Sequence, residues 1–146
     1  EDHMSALLNE ADSLAIWRVA VKPGRPIEMG VWNEMPVFGL PGNPVAALVC
    51  ALIFASPALR VLAGGGWVSP QSFRVPAGVR KTKKPGRVEY RRARIEAGRV
   101  VICPSEGSGR VSGLSWAQGL VELGAGAQEI NAGDPVQYIP FSSFGA

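Results

Sequence analysis

The sequence predicts two structural classes in succession: part of a three-layer α/β domain, then a small all-β barrel. Residues 1–66 follow a helix, strand, loop, strand, helix order, which is typical of α/β layers. Residues 67–146 carry short extended segments separated by glycine turns, which favour a small antiparallel sheet or barrel. The three consecutive glycines at 64–66 lie between the two patterns. We therefore expect one domain over residues 1–66 and a second over residues 67–146.

Composition supports a folded chain with many turns. The 146 residues fit one ordinary domain or two small ones, and 47% of them are hydrophobic while 18% are charged. That balance favours a packed core over disorder. Eighteen glycines and twelve prolines argue against a helix bundle. A net charge of +3 is too small to indicate a nucleic-acid partner.

The elements of the first part follow from local patterns. Residues 4–16 place apolar side chains at helical spacing up to about Glu10. Three segments favour strands, and the proline-rich residues 22–26 favour a loop. An apolar helix follows, and Pro57 either kinks it or starts a second helical piece ending at Leu62. The predicted strands cover residues 17–21, 27–31 and 36–38, and the helix covers residues 44–55.

No membrane segment or leader is expected. The apolar stretch 45–63 is about as long as a short membrane span, but Pro57 and Arg60 interrupt it, so a buried helix explains it better. The first three residues are polar, which does not resemble a signal peptide. Cys50 and Cys103 show neither metal-ligand nor disulfide spacing, and Cys50 is predicted to be a small core residue. A reducing cytoplasm is the expected location.

The second part contains five extended segments and one basic cluster. The predicted extended segments are residues 73–79, 88–95, 99–104, 119–123 and 134–139. Basic residues crowd positions 80–94, relieved only by Glu89. Such a run is usually a solvated face, although it could also contact phosphates. The cluster comprises Arg80, Lys81, Lys83, Lys84, Arg87, Arg91, Arg92 and Arg94.

The bend at residues 38–44 is the strongest local signal for a binding site. Asn43 is a favoured helix N-cap, and Pro44 suits the first helical position. Gly39 and Gly42 allow a ligand to approach the backbone, and Pro41 stiffens the turn. The first-turn amides and the positive end of the helix dipole would suit phosphate or another oxyanion. The alternative is an ordinary proline–glycine turn that binds nothing.

Four motifs in this order resemble one family. They are Lys-Pro-Gly-Arg-Pro at 22–26, Gly-Leu-Pro-Gly-Asn-Pro-Val at 39–45, Gly-Ser-Gly at 107–109 with Ser112 and Leu114, and Ala-Gly-Asp at 132–134. Together they resemble the molybdopterin molybdenumtransferase family, also called the MoeA family, which is related to the C-terminal part of gephyrin. The resemblance implies that residues 1–66 are the second half of the family's third domain and that residues 67–146 are its fourth.

The resemblance also implies a reaction. Members of this family insert molybdate into molybdopterin, carried as an adenylylated intermediate, and release AMP with the help of a divalent cation, usually Mg²⁺. The intact protein would be a cytoplasmic homodimer that needs neither nucleic acid nor a membrane. Because half of the α/β domain would be missing, we expect residues 1–146 alone to be catalytically silent.

The resemblance assigns roles to particular residues. Asp2 would hold the cation and act in catalysis, while Lys22 and Arg25 would neutralise the oxyanion or pyrophosphate. The bend residues would form the pocket floor, and Arg92 and Ser108 would face the cleft from the second domain. The floor residues are Gly39, Pro41, Gly42, Asn43 and Pro44.

Each of these residues also has a plainer interpretation. Asp2 could be a frayed terminal residue, and Lys22 and Arg25 could be exposed loop charges. Arg92 could be a surface charge of the barrel, and Ser108 an ordinary turn residue.

Two other functions remain open at this point. Related α/β domains adenylylate molybdopterin or occur in competence-damage proteins, but they lack the trailing β domain. The second possibility is a binding module without catalysis, either for molybdopterin or for an acidic protein partner of the basic cluster.

Overall fold

The computed structural model describes residues 13–15, 21–23, 27–104 and 112–144 of the chain. These residues form eleven strands, a long helix α1, a short helix α2 and a terminal 3₁₀ turn. The strands are β1 (Ser13–Ala15), β2 (Val21–Lys22), β3 (Glu28–Trp32), β4 (Met35–Gly39), β5 (Phe73–Pro76), β6 (Lys81–Lys83), β7 (Val88–Glu96), β8 (Arg99–Ile102), β9 (Gly119–Leu123), β10 (Gln128–Ile130) and β11 (Pro135–Pro140). Helix α1 is Pro44–Leu62, α2 is Ser112–Trp116, and the 3₁₀ turn is Phe141–Phe144.

A small antiparallel sheet carries the bend into α1. Its strand order is β1-β3-β4, and β3 and β4 form a hairpin in which Glu28 faces Gly39. The two turn residues, Asn33 and Glu34, both have positive φ, as the tight hairpin turn requires. Strand β4 then leads directly to the bend, so the position of Pro41–Pro44 is set by this hairpin.

Within helix α1 a new α-helical piece, Ser56–Leu62, starts with Pro57 in its first turn, in agreement with the second helical piece that the sequence allows. A π-helical segment, Ala51–Ala55, precedes the proline, and the Ser56 amide donates to the carbonyl of Ala51. By length and composition alone this helix could cross a membrane, a property that it shares with buried core helices. Its first half is largely buried and its last turn is exposed at Leu59 and Leu62.

A six-stranded sheet joins the two parts of the chain. Its order is β2-β7-β9-β11-β5, with β8 also paired to β7. Strand β2 lies parallel to β7, with Lys22 opposite Glu89. A separate two-stranded sheet pairs β6 with β10. The first part of the chain therefore contributes a strand to the sheet of the second part.

Two apolar clusters hold this arrangement together. The larger lies inside the second part and includes Val100, Val121 and Leu123. In the smaller, Val49 of α1 packs against Leu120 and Ile139 of the sheet. Burial of such side chains contributes about 1.5–3 kcal/mol each. Burial also raises the pKa of the Cys50 thiol, in agreement with its predicted place in the core.

The basic cluster is not simply a solvated face. Lys83 is only 4% exposed, and its Nζ donates to the carbonyl oxygens of Lys84, Ala125 and Gly126 at 3.1–3.3 Å. A buried ammonium is stable only when its protons have acceptors, and these three carbonyls supply them. This lysine ties the segment after β6 to the turn between β9 and β10.

Candidate functional site

The bend at Pro41–Pro44 has the predicted local geometry. Asn43 is the N-cap of α1 in an extended conformation, and Pro44 occupies the start of the helix. The Asn43 Oδ1 accepts from the amides of Val45 and Ala46 at 3.1 and 3.2 Å, and the Asn43 carbonyl accepts from Ala47 at 2.8 Å. The first-turn amides are thus satisfied within the helix, which corrects the expectation that they are directed at a ligand. The helix dipole remains as the attraction for an anion.

The two glycines of the bend have different surroundings. A Cβ on Gly39 would lie 3.1 Å from the Cβ of Glu28 on the neighbouring strand, so close packing in the hairpin accounts for this glycine. A Cβ on Gly42 would meet no heavy atom within 4 Å. Gly42 is the bend glycine with room above it for a ligand.

Lys22 lies at the end of β2 rather than in a loop, which corrects the predicted loop start by one residue. Its Nζ is 3.5 Å from Oε1 of Glu89, and its side chain remains 47% exposed. The hydrogen bonds of Lys22 and Asn43 go to different partners, one on β7 and the other within α1. Lys22 is therefore directed to β7, a partner that the sequence did not indicate.

Glu89 is the buried acid at this junction. Both Nε and Nη2 of Arg91 bond to its Oε2, at 2.9 and 2.8 Å, which leaves Oε1 for Lys22. Burial by itself raises the pKa of Glu89, but Arg91 and Lys22 together outweigh burial and hold the pKa below its ordinary value. Glu89 therefore stays ionised at neutral pH.

This shift predicts a pH dependence of stability. Because the pKa of Glu89 is lower in the folded chain, its ion pairs stabilise the fold above the ordinary glutamate pKa of about 4.3, and this contribution is lost as the pH falls through the lowered value. The difference in the free energy of unfolding by urea between pH 7 and pH 3 measures this contribution. In Glu89→Gln the free energy of unfolding should fall less between pH 7 and pH 3 than in the unchanged protein. An equal fall in both proteins would contradict the stabilising role of the Glu89 ion pairs.

Arg92 is buried in β7, three residues beyond Glu89. Its side chain is 6% exposed, which excludes the interpretation as a solvated surface charge. Lys22 lies on β2 opposite Glu89 of β7, and Arg92 is three residues further along β7, so the side chains of Glu89 and Arg92 point to opposite faces of the sheet. The structure thus places Lys22 beside β7 and Arg92 within it, but the strand register does not bring the two side chains to one face.

Helix α2 covers the Arg92 guanidinium. A Cβ on Gly113 would lie 2.3 Å from Nη1 of Arg92 and 3.3 Å from Sγ of Cys103. In addition, the guanidinium of Arg94 lies 4.6 Å from the ring centroid of Trp116, a cation–π contact that anchors the helix. Sequence reasoning missed Gly113 and Glu89, although Glu89 was visible as the single acid in a basic run.

Three predicted site residues lie outside the described part of the chain. These are Asp2, the proposed metal ligand, Arg25, the second cation of the loop, and Ser108, the polar residue of the glycine turn. Within residues 13–15, 21–23, 27–104 and 112–144, no group of three His, Cys, Asp or Glu side chains could hold a metal ion. Asp2, the predicted Mg²⁺ ligand, lies outside the residues to which this statement applies.

Comparisons with known protein families match both parts of the chain. Residues 1–61 match the family described as "Probable molybdopterin binding domain", and residues 74–141 match "MoeA C-terminal region (domain IV)". These two matches cover the motifs of the loop, the bend and the glycine turn.

Similar proteins carry related names. The chain is 29% identical to a molybdopterin molybdenumtransferase of Haemophilus influenzae, over 97% of this chain and 36% of that protein. It is 32% identical to molybdopterin molybdenumtransferase 2 of Mycobacterium tuberculosis, over 82% of this chain and 30% of that protein. The chain thus spans about a third of the length of these relatives.

A solved structure has the same fold over nearly the whole chain. The crystal structure of the molybdopterin biosynthesis MoeA protein from Pyrococcus horikosii matches with a TM-score of 0.77 and 25% identity. The match covers 94% of this chain and 34% of that one. With both family matches and this fold, the chain belongs to the MoeA family.

Proposed function

We propose that this chain forms part of a molybdopterin molybdenumtransferase, which inserts molybdate into adenylylated molybdopterin and releases AMP. The observation that carries the proposal is the presence of both family regions in one chain. Lys22 and Arg25 neutralise the molybdate or pyrophosphate oxygens. Arg92 and Ser108 hold the ligand from the second domain, as the family resemblance implies.

The bend acts as the floor of this pocket. The open space above Gly42 admits a ligand, and the positive end of the α1 dipole attracts its negative charge. Pro41 and Pro44 fix the backbone, and Asn43 secures the helix start. The role of Gly39 is to let the hairpin close against Glu28.

Mg²⁺ is the expected cation of the site. Mg²⁺ is commonly held by one or two carboxylates together with substrate phosphates, and Asp2 would supply such a carboxylate. A hard cation in this place would help to neutralise phosphate and molybdate oxygens. We further infer that the intact protein is a cytoplasmic homodimer, as the resemblance implies.

We also infer that residues 67–146 close into the predicted small barrel, with a domain boundary near residue 66. The ends of the sheet support this closure, because Ala77 after β5 forms a bridge with Val100 of β8, and the amide of Gly78 donates to the Val100 carbonyl at 2.8 Å. The boundary is supported by the separate family matches on either side of it.

A purely protein-binding role for the basic cluster has less support. Lys83 and Arg92 are buried, while Arg80 and Arg94 pair with Glu129 and Glu96. These contacts use the positive charge inside the chain, so an acidic partner would meet far less of it than the sequence suggests.

The test is a molybdenum-insertion assay on the full-length protein that contains this chain. Purified protein is incubated with adenylylated molybdopterin, Mg²⁺ and molybdate, and AMP release and molybdenum cofactor are measured. We expect both products with the full-length protein and neither with residues 1–146 alone. If the full-length protein binds molybdopterin without releasing AMP, a binding module replaces the enzyme.

Gly113→Ala should move Arg92 without unfolding the chain. The added Cβ would lie 2.3 Å from the terminal Nη1 of Arg92, so this buried side chain would have to shift. Because moving a buried cation costs stability, we expect a modest fall in Tm, and we expect kcat/KM for molybdenum insertion to fall about 10-fold, the loss of about 1.4 kcal/mol.

The matched control is Gly126→Ala, because a Cβ on Gly126 meets no heavy atom within 4 Å. It should change neither Tm nor insertion. Arg92→Ala should abolish the effect of Gly113→Ala in the double variant. Additive losses would show that Gly113 does not act through Arg92.

A further inference from the structure

We propose that Glu89 is a positioning residue for Lys22, and that the second domain thereby orients the oxyanion-binding lysine of the first. This inference rests on the proposed function and extends it to a residue that the motifs do not include. It starts from three observations: a parallel strand pair, a buried carboxylate and the division of its two oxygens between two cations.

The backbone brings the two residues together. Strand β2 is only two residues long, and its pairing with β7 sets Val21 opposite Val88 and Lys22 opposite Glu89. Arg87 adds a second tie, because its Nη1 donates to the carbonyl of Val21 at 3.4 Å. The start of the Lys-Pro-Gly loop is therefore held at β7 by contacts beyond the Lys22 side chain.

The carboxylate is fixed before it meets Lys22. Glu89 is 9% exposed, and the Arg91 guanidinium holds Oε2 through two nitrogens. This contact leaves Oε1 in one orientation, facing Lys22 Nζ at 3.5 Å. Because Glu89 is buried and held by two bonds from Arg91, it loses little further conformational entropy when it pairs with Lys22. It can therefore restrict the otherwise flexible lysine side chain.

The ion pair with Glu89 leaves Lys22 able to contact a ligand. The Lys22 side chain is 47% exposed, and 3.5 Å is longer than the 2.7–2.9 Å range of strong charge-assisted bonds. Lys22 has three ammonium protons, so one can face Glu89 while the others contact oxyanion oxygens.

The inference predicts a change in binding rather than in chemistry. Glu89→Gln in the full-length protein should raise KM for molybdate about 10-fold and leave kcat within about 2-fold, because Lys22 would lose its orientation but keep its charge. Glu89→Asp keeps the charge and should recover part of the affinity. In the Lys22→Ala background, Glu89→Gln should have no further effect on KM.

The matched control is Glu96→Gln. Glu96 lies on the same strand and pairs with Arg94 two residues away, as Glu89 pairs with Arg91, but its partner cation is stacked on Trp116. This variant should leave KM for molybdate unchanged. Equal effects of the Glu96 and Glu89 variants would overturn the inference.

A readout without substrate separates this inference from the proposed function. In residues 1–146, at a temperature well below the unfolding transition of both proteins, ¹³C relaxation of the Lys22 ε-methylene should show greater mobility in Glu89→Gln than in wild type. Unchanged mobility overturns the inference, and so does changed mobility with unchanged KM. If Lys22→Ala leaves molybdenum insertion intact, the role of Lys22 in the proposed function is wrong, whatever the side-chain mobility in the Glu89 variant.

Discussion

Lys22→Ala in the full-length protein is expected to lower kcat/KM for molybdenum insertion by about 30- to 100-fold. A charge-assisted hydrogen bond to an oxyanion contributes about 1.5–3 kcal/mol, and each 1.4 kcal/mol corresponds to a factor of ten. Because the side chain is half exposed and forms its ion pair with Glu89 at 3.5 Å, its removal should cost little stability.

The insertion assay at varied molybdate concentration measures this effect. Lys22→Arg serves as the control, since it keeps the charge but changes its shape, and we expect an intermediate loss. Lys84→Ala is a second control, because Lys84 is an exposed cation of the same basic cluster. A loss no larger than that of Lys84→Ala would remove Lys22 from the site.

Gly119→Ala is expected to destabilise the fold more than a surface change can. A Cβ at this position would lie 2.4 Å from the carbonyl oxygen of Ile139 and 2.7 Å from the ring of Tyr138. The nearest atom belongs to backbone in the paired strand β11, so it cannot move away without disturbing the β9–β11 pairing. We expect a loss of about 3 kcal/mol in the free energy of unfolding.

Thermal and urea unfolding of residues 1–146 measure this loss, and a shift of about 10 °C in Tm corresponds to it. Gly42→Ala provides the comparison, since a Cβ there meets nothing within 4 Å and φ is not in the left-handed region. The bend variant should keep its Tm. If the two variants unfold at the same temperature, the tight crossing at Gly119 is not a feature of the folded chain.

The same two glycines separate stability from ligand approach. Gly119 is required by packing, whereas the space above Gly42 is open to solvent or ligand. A methyl group on Gly42 should therefore act on molybdate binding alone. This difference could not be predicted from the sequence, where both positions are simply glycines beside strands or turns.

Local chemistry made the bend and several strands predictable. Asn43 and Pro44 were identified as the start of α1 from their own preferences, and residues 119–123 were identified as a strand from their apolar side chains. Ala97 and Gly98 form the turn between the predicted segments 88–95 and 99–104, and both residues have positive φ. These features depend on residues close together in the chain.

Other elements gave no such signal. Strand β6 is Lys-Thr-Lys, strand β10 is Gln-Glu-Ile, and α2 is a five-residue helix without a predicted start. The polar pattern of the two strands is that of a loop, and only their pairing with one another makes them strands. The π-helical segment before Pro57 is a further feature that propensities do not anticipate.

The site residues stay predictions, and the arrangement of those that the structure describes could not be predicted from the sequence. The motifs identified Lys22, and the resemblance identified Arg92. The position of Lys22 beside β7 depends on a strand pairing between residues 67 apart in sequence. Asn43 was identified correctly as the N-cap of α1. The first-turn amides that were expected to face a ligand are instead bonded to its side chain.

In the proposed site, one oxyanion is held between Lys22 and the bend that starts α1. Tungstate, a heavy analogue of molybdate, can be diffused into crystals of the full-length protein and located by its anomalous scattering. We predict a tungstate site with an oxygen within about 3 Å of Lys22 Nζ, on the open side of Gly42. Tungstate bound at full occupancy elsewhere, with no density beside Lys22 Nζ, would contradict this placement.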